Sequence, residues 1–241
     1  MITAVATPLP GPLIAAAKIY SVDLTGPAGR LEAVVNEGNP DAPCSALVCH
    51  PHPLGGGTLH NKVVYHSMKT LNAPEWGLGW PVLRFNFRGT GLSEGVHDGN
   101  AETGDVQAAI DWLDNAYGRP VVVVGFSFGA VMSLKAVCER AAAGNSSVRA
   151  IAALGLPTNA LGREYGYSFL KNCSVPKIFL SGDRDQFAPT AALAKVAEAA
   201  SEPKKLVLVP AADHFFNGCL EPMQRALAAW LKEQVPGEHI Q

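Results

Sequence analysis

The chain has 241 residues, 48% of them hydrophobic and 17% charged, with a formal net charge of -2. That length and balance suit one compact α/β domain with a substantial core and exclude a disordered or coiled-coil chain. No dense Lys/Arg run supplies the electrostatic footprint of a nucleic-acid binder, so the expected partners are small neutral or weakly charged molecules, with no nucleic acid and no membrane.

Residues 1–17 read as a loose N-terminal arm rich in proline and small residues, and 18–241 as a single domain. The short apolar stretch Leu13 to Ala17 follows three prolines and no basic region, so no secretory signal is expected; no apolar run is long enough to span a bilayer. The five cysteines, Cys44, Cys49, Cys138, Cys173 and Cys219, are scattered, odd in number and without C-x-x-C spacing. That pattern argues against a disulfide framework or a zinc ribbon and for reduced thiols in a cytoplasm.

Ile19 to Leu24 and Leu31 to Val35 read as two strands around Thr-Gly-Pro-Ala-Gly, an antiparallel edge hairpin. Ala46 to Cys49 forms a short buried strand that breaks into His-Pro-His-Pro-Leu-Gly-Gly-Gly, a loop where backbone can approach a ligand. Lys62 to Leu71 follows as a helix capped by Asn61, then Pro81 to Phe87 as a strand leading into a long polar loop through Asn100. Glu102 to Tyr117 carries Val106, Ala109, Ile110 and Leu113 at helical spacing, and Gly118 stands where that helix stops.

Four valines, Val121 to Val124, then run into Gly125-Phe126-Ser127-Phe128-Gly129. A strand apolar on both faces belongs at the centre of a parallel sheet covered on both sides. The turn after it must lift the serine hydroxyl above the sheet edge, and the two glycines remove Cβ atoms that would clash there. The helix expected over Phe128 to Ala143 aims its N–H groups and dipole at an oxygen gaining negative charge. Gly91 to Gly95 repeats the G-x-S-x-G pattern around Ser93, but in loop sequence without strand or helix, so Ser127 is read as the nucleophile.

Ala150 to Leu154, Lys177 to Leu180 and Lys205 to Val209 are further short strands. Gly155 to Pro176, with Tyr165, Tyr167 and Phe169, is short for a lid and predicts an open pocket. Leu220, Met223, Leu227, Trp230 and Leu231 give one apolar face to a closing helix. The alternation calls for a mostly parallel, doubly covered sheet.

A serine needs a base and a carboxylate to orient it. Of seven histidines, His214 stands immediately past the last strand, on the carboxyl edge where Ser127 emerges; His60, His66 and His97 precede the elbow, and His239 lies in the tail. Asp183 and Asp185 reach the same edge, and either could orient His214. Asp185 is preferred because it lies deeper in the loop, whereas Asp183 sits at the turn, where aspartate commonly bonds its own backbone. Asp105, Asp111, Asp114 and Asp213 read as helix or turn residues. The Phe128 N–H is the natural first oxyanion donor; Pro51 and Pro53 have no N–H, which leaves His52 and Leu54 as nearest second donors, with His52 preferred. Leu54, Phe87, Phe187, Phe215 and Phe216 are the candidate acyl pocket. His50, His52, His60, His66 and Asp98 would be the ligands of a metal hydrolase, but H-x-H-x-D-H and H-E-x-x-H spacings are missing, so no metal and no cofactor are expected.

From Ala46 onward, Gly-Phe-Ser-Phe-Gly, Gly-Asp-Arg-Asp and Asp-His-Phe, in the order Ser, Asp, His, resemble the nucleophile, acid and base motifs of the α/β-hydrolase superfamily. His-Pro-His-Pro-Leu-Gly-Gly-Gly-Thr with Arg-Phe-Asn-Phe-Arg-Gly-Thr-Gly-Leu-Ser-Glu-Gly is similar to a bacterial group of small, lid-poor serine hydrolases related to dienelactone hydrolases and acyl-peptidase-like esterases. In that group the His-Pro-His-Pro segment takes the place of the superfamily's His-Gly oxyanion loop; here Pro51 replaces the glycine. The nucleophile is serine, not the cysteine of dienelactone hydrolase, so that activity is not implied. The resemblance implies an α/β-hydrolase fold and carboxylesterase chemistry. The expected reaction is hydrolysis of small, short-chain acyl esters through an acyl-enzyme by a monomer or homodimer. Acyl transfer or peptidase-like chemistry on the same fold is the alternative, and a metal-dependent hydrolase a more distant one.

Overall fold

The computed structural model describes residues 18–144, 147–160 and 163–235, so the arm expected over 1–17 lies outside the described residues. In chain order the elements are β1 (Ile19–Gly26), β2 (Gly29–Asn36), β3 (Ser45–Cys49), α1 (Lys62–Asn72), β4 (Val82–Phe85), α2 (Glu102–Tyr117), β5 (Val121–Phe126) and α3 (Phe128–Ala142). There follow β6 (Val148–Leu154), the two-residue strands β7 (Asn159–Ala160) and β8 (Arg163–Glu164), β9 (Lys177–Gly182), α4 (Thr190–Ala199), β10 (Lys204–Val209) and α5 (Leu220–Gln234).

Eight strands form one sheet in the order β1-β2-β4-β3-β5-β6-β9-β10. The six from β4 to β10 are mutually parallel, and the β1–β2 hairpin joins antiparallel at the β4 edge. The valine run explains why β5 is central. Val121 and Val123 pack into the core under α2 and α3, Val122 and Val124 into the core under α1 and α5, and all four are fully buried. Burying each stabilises by about 1.5–3 kcal/mol, so no edge position would serve this strand as well.

Local signals set the helix ends. Asn61 Oδ1 accepts from the Val63 N–H at 2.9 Å at the start of α1, and Gly118, at φ 60°, closes α2 by donating to the Asp114 carbonyl. The predicted strand Pro81 to Phe87 ends sooner, at Phe85, because the Phe87 N–H leaves the ladder to donate to His50 Nε2 at 3.0 Å. Helix α4 was not among the predicted elements; it is Ala-rich and buries only Leu193 and Ala197, too few positions to write a period into the sequence. Among its described residues, the stretch from Gly155 to Pro176 holds only the β7–β8 hairpin and one 3-10 turn at Ser168–Asn172.

One expectation is corrected. Cys138, near the end of α3, and Cys173, just past that 3-10 turn, are joined by a disulfide with Cα atoms 5.1 Å apart, while Cys44, Cys49 and Cys219 are free. Cysteine count and spacing are blind to a pair 35 residues apart that the packing of the turn against α3 brings within bonding reach. No helix of the described residues is long and apolar enough to cross a membrane.

Two buried polar groups brace the loops above the sheet. Asp105, in the first turn of α2 and fully buried, accepts from the Arg88 N–H at 3.0 Å and from its Nη2 at 2.6 Å, tying the segment after β4 to α2. His50, just past β3, donates from Nδ1 to the Pro51 carbonyl at 2.6 Å and accepts from Phe87 through Nε2. Its proton arrangement is therefore that of a neutral imidazole, and burial lowers its pKa to about 4.

Two outcomes are expected. Asp105→Ala leaves a buried guanidinium uncompensated and should cost about 3–5 kcal/mol in urea unfolding. For His50 the folded pKa, about 4, lies below the ordinary imidazole value of 6.5, so the unfolded chain binds more protons between those limits. Stability should then fall as pH drops from about 6.5 to about 4, by on the order of 3 kcal/mol, and change little through this group above or below. Urea midpoints at pH 7 and 4.5 should show a smaller drop for His50→Gln than for the wild type.

Candidate active site

β5 delivers Ser127 to the carboxyl edge of the sheet with φ 54° and ψ -118°, a sharp turn outside the regions L-residues ordinarily occupy. The turn is held on both sides. The Ser127 N–H donates to Leu154 O at 2.9 Å, and its carbonyl accepts from Ala130 N at 2.9 Å and Val131 N at 3.2 Å. A Cβ on Gly125 would lie 2.5 Å from Ala130 Cα, and one on Gly129 2.5 Å from the carbonyl oxygens of Cys49 and His50. Both positions therefore require glycine, and Gly129 seats the elbow directly on the loop leaving β3. Ser93, in the second G-x-S-x-G, has its hydroxyl engaged otherwise: it donates to Asn86 O at 2.7 Å and accepts from Glu32 N at 2.9 Å.

The loop after β10 places His214 Nε2 3.0 Å from Ser127 Oγ, and the loop after β9 places Asp185 Oδ2 2.8 Å from His214 Nδ1. A carboxylate only accepts, so Nδ1 carries the imidazole proton and the Nε2 lone pair faces the serine hydroxyl. Asp185 is buried and fully partnered. Oδ2 also accepts from Ser181 Oγ at 3.0 Å, and Oδ1 from Phe187 N at 2.9 Å and Ala188 N at 3.1 Å. Asp183 is exposed, and Asp213 is spent on its own turn, accepting from Phe215 N and Asn217 N. The rings of Phe187, Phe126 and Phe215 surround the imidazole at centroid distances of 4.7, 5.1 and 5.1 Å, leaving His214 only 3% exposed.

On the other side of Ser127, the Phe128 N–H opens α3 and has no acceptor within the helix. The His52 ring lies 4.9 Å from the Phe128 ring, and its Nδ1 accepts from Leu54 N at 3.2 Å. Behind them stands a group the sequence reading took for loop and helix residues. His97 packs 4.8 Å from His52 and 5.4 Å from Phe128, with its Nδ1 2.6 Å from the buried Glu102 carboxylate. The only signal was the density of charge between Arg88 and Asp105, and a solvated loop looks the same in sequence.

A cavity of about 120 Å³ opens at Ser127. Phe187 and Phe215, of the expected pocket residues, line it, together with His52, Phe128 and His214. Leu54 does not; it is 82% exposed on its glycine-rich loop. Phe87 and Phe216 do not either, being fully buried in the two cores, where large aromatics gain most. Asn61, Pro157, Ala160 and Tyr165 line the cavity and were not foreseen, because they come from segments distant in sequence. Among the described residues no three His, Cys, Asp or Glu side chains converge as a metal-binding group.

Comparison with known proteins agrees with this architecture. Residues 55–227 match the alpha/beta hydrolase domain family. The chain is 35% identical over 215 residues to an uncharacterized protein of Rickettsia prowazekii, covering 86% of each. Among solved structures it is similar to an alpha-beta serine hydrolase homologue from Coxiella burnetii, with 30% identity, 88% of this chain and 97% of that one covered, and a TM-score of 0.77. It is also similar to a serine hydrolase without lid from Xanthomonas campestris, at 29% identity, 95% and 100% coverage, and a TM-score of 0.75. With the elbow turn, the strand order and a family match over most of its length, this chain belongs to the α/β-hydrolase superfamily.

Proposed function

We propose that the protein hydrolyses small carboxylic esters through an acyl-enzyme, with Ser127 as nucleophile, His214 as general base and acid, and Asp185 as the carboxylate that orients it. The observation that carries this reading is the continuous hydrogen-bonded chain from Ser127 Oγ through His214 to Asp185. A serine hydroxyl is a poor nucleophile until a base takes its proton at hydrogen-bond distance.

Ser127 Oγ attacks the ester carbonyl as its proton passes to His214 Nε2. The negative charge that develops on the carbonyl oxygen is met by the Phe128 N–H at the start of α3, where the helix dipole adds to it, and by the His52 N–H on the loop after β3. As the tetrahedral species collapses, the carbon–alkoxy bond breaks and His214 returns the proton to the departing alcohol. Water, deprotonated by His214, then attacks the acyl carbonyl and frees Ser127. Asp185 keeps the proton on Nδ1 and stabilises the transient imidazolium, and its own four hydrogen bonds hold it in place. The narrow cavity at Ser127, walled by Pro157, Phe187 and Phe215, supports a slender group at the reacting carbon.

The test is release of a chromogenic phenol from short acyl esters. Ser127→Ala and His214→Ala should each reduce kcat by roughly 10³-fold or more, and Asp185→Asn by roughly 10²- to 10⁴-fold. Asp183→Asn should leave kcat near the wild type, which separates the two aspartates. Turnover that survives Ser127→Ala would sink the reading, and a rate that climbs with added alcohol acceptor would turn it toward acyl transfer.

A further inference from the structure

The chamber at Ser127 is not closed on all sides. Tyr165, one of its walls, is also a wall of a second cavity of about 330 Å³, whose floor is Val131 and Met132 and whose far end is Lys135. Asn100 and Lys135 in turn line a third, wider cavity of about 550 Å³. Val131 and Lys135 are spaced four residues apart on one face of α3, and Ser127 precedes the helix by one residue. The three cavities thus adjoin one another along the elbow helix, the first two at Tyr165 and the last two at Asn100 and Lys135. At 1.5 Å per residue, Lys135 stands roughly 12 Å beyond the nucleophile, and its side chain leans back toward it.

Lys135 is half-buried, and its ammonium lies 3.4 Å from Asn100 Oδ1. Among the described residues it has no carboxylate at ion-pair distance. Glu139, one turn further along α3, instead accepts from Gln107 Nε2 at 2.8 Å. This row of cavities begins at the nucleophile, passes over the nearly buried Val131 and Met132 and reaches a cation whose partner is a neutral amide.

We infer that the cavities on either side of Tyr165 join as one trough that binds the acyl part of the substrate and that Lys135, with the Asn100 amide, receives a carboxylate at its far end. The preferred substrates are then esters of linear acids carrying a second, terminal carboxylate. The inference rests on the hydrolase reading above and specifies its substrate class. The direction follows from the chemistry. His214 must reach the departing alkoxy oxygen, so the alcohol lies on the His214 side, and the acyl chain takes the opposite course, along α3, where neither His214 nor Phe215 lines the wall. A single cation matches a singly charged carboxylate better than a phosphate dianion.

The experiment compares two 4-nitrophenyl esters of equal acyl length, the octanoyl ester and the half-ester of the eight-carbon dicarboxylic acid, by their ratio of kcat/KM. The wild type should favour the carboxylated ester. Lys135→Gln should lower that ratio roughly fivefold, as expected for a partly screened charged contact, and Lys135→Glu should lower it further. Lys205→Gln, which removes an exposed lysine paired with Glu233 on the far edge of the sheet, should leave the ratio as it is. Taking a ratio within one variant removes any loss of folded protein from the comparison. If both esters are cleaved and Lys135→Gln keeps the wild-type ratio, the anionic subsite is overturned while the hydrolase reading stands. If the wild type cleaves neither ester, the hydrolase reading fails and this inference fails with it.

Discussion

Ser127 holds a backbone conformation that costs of order 1–3 kcal/mol in isolation, and such a turn persists only where its surroundings leave it no alternative. Here β5 arrives fully buried on both faces, α3 departs at once, and the serine N–H and C=O are committed to Leu154, Ala130 and Val131. Gly125 and Gly129 let two backbones approach to distances no side chain would permit. The sheet order, the seating of the β3 loop and the placement of the Ser127 hydroxyl against His214 all presuppose this one turn.

The surroundings of the turn are built from polar groups that are individually expensive to bury. Arg88 and Asp105, His97 and Glu102, and the neutral imidazole of His50 form a layer beneath the loop that carries His52. Each is paired or hydrogen-bonded, which is the condition under which burial of such groups is tolerated. The loop containing Pro51, Pro53 and three consecutive glycines closes on itself, with the Gly55 and Gly57 N–H groups donating to the His52 carbonyl and the Gly56 N–H to that of Pro53. It is also fixed from outside, by His50 reaching Phe87 and by Gly129 lying against the Cys49 and His50 carbonyls. In this way fold stability and the geometry around Ser127 draw on the same contacts.

The open side of the site has a related origin. Among the described residues the segment between β6 and β9 contributes a hairpin of two-residue strands and one 3-10 turn, while α3 is buried from Phe128 to Leu134. Along the helix that begins at the nucleophile, the surface opens again beyond Tyr165, at the half-buried Lys135. The disulfide from Cys138 to Cys173 ties this sparse segment to the same helix, so the wall of the trough and the elbow share one support.

By itself the sequence determined the parts whose signals are local. Four valines before Gly-x-Ser-x-Gly specify a central strand and an elbow, the apolar spacing from Glu102 to Tyr117 yields a helix with the same ends in the structure, and Asn61 and Gly118 mark caps. Strand alternation likewise puts Ser127, Asp185 and His214 on one edge of a parallel sheet. Tertiary structure alone decided what depends on burial and on distant segments meeting. It buried Asp185 under four hydrogen bonds and left Asp183 in solvent, although both sit in the same loop. It sent Phe87 and Phe216 into the core and Phe187 and Phe215 to the cavity, paired two cysteines across 35 residues, and set Lys135 at the end of a trough. Hydrophobic period and turn chemistry act over a few residues and can be read along the chain, whereas solvent exposure and convergence are properties of the folded surface and are not encoded in spacing.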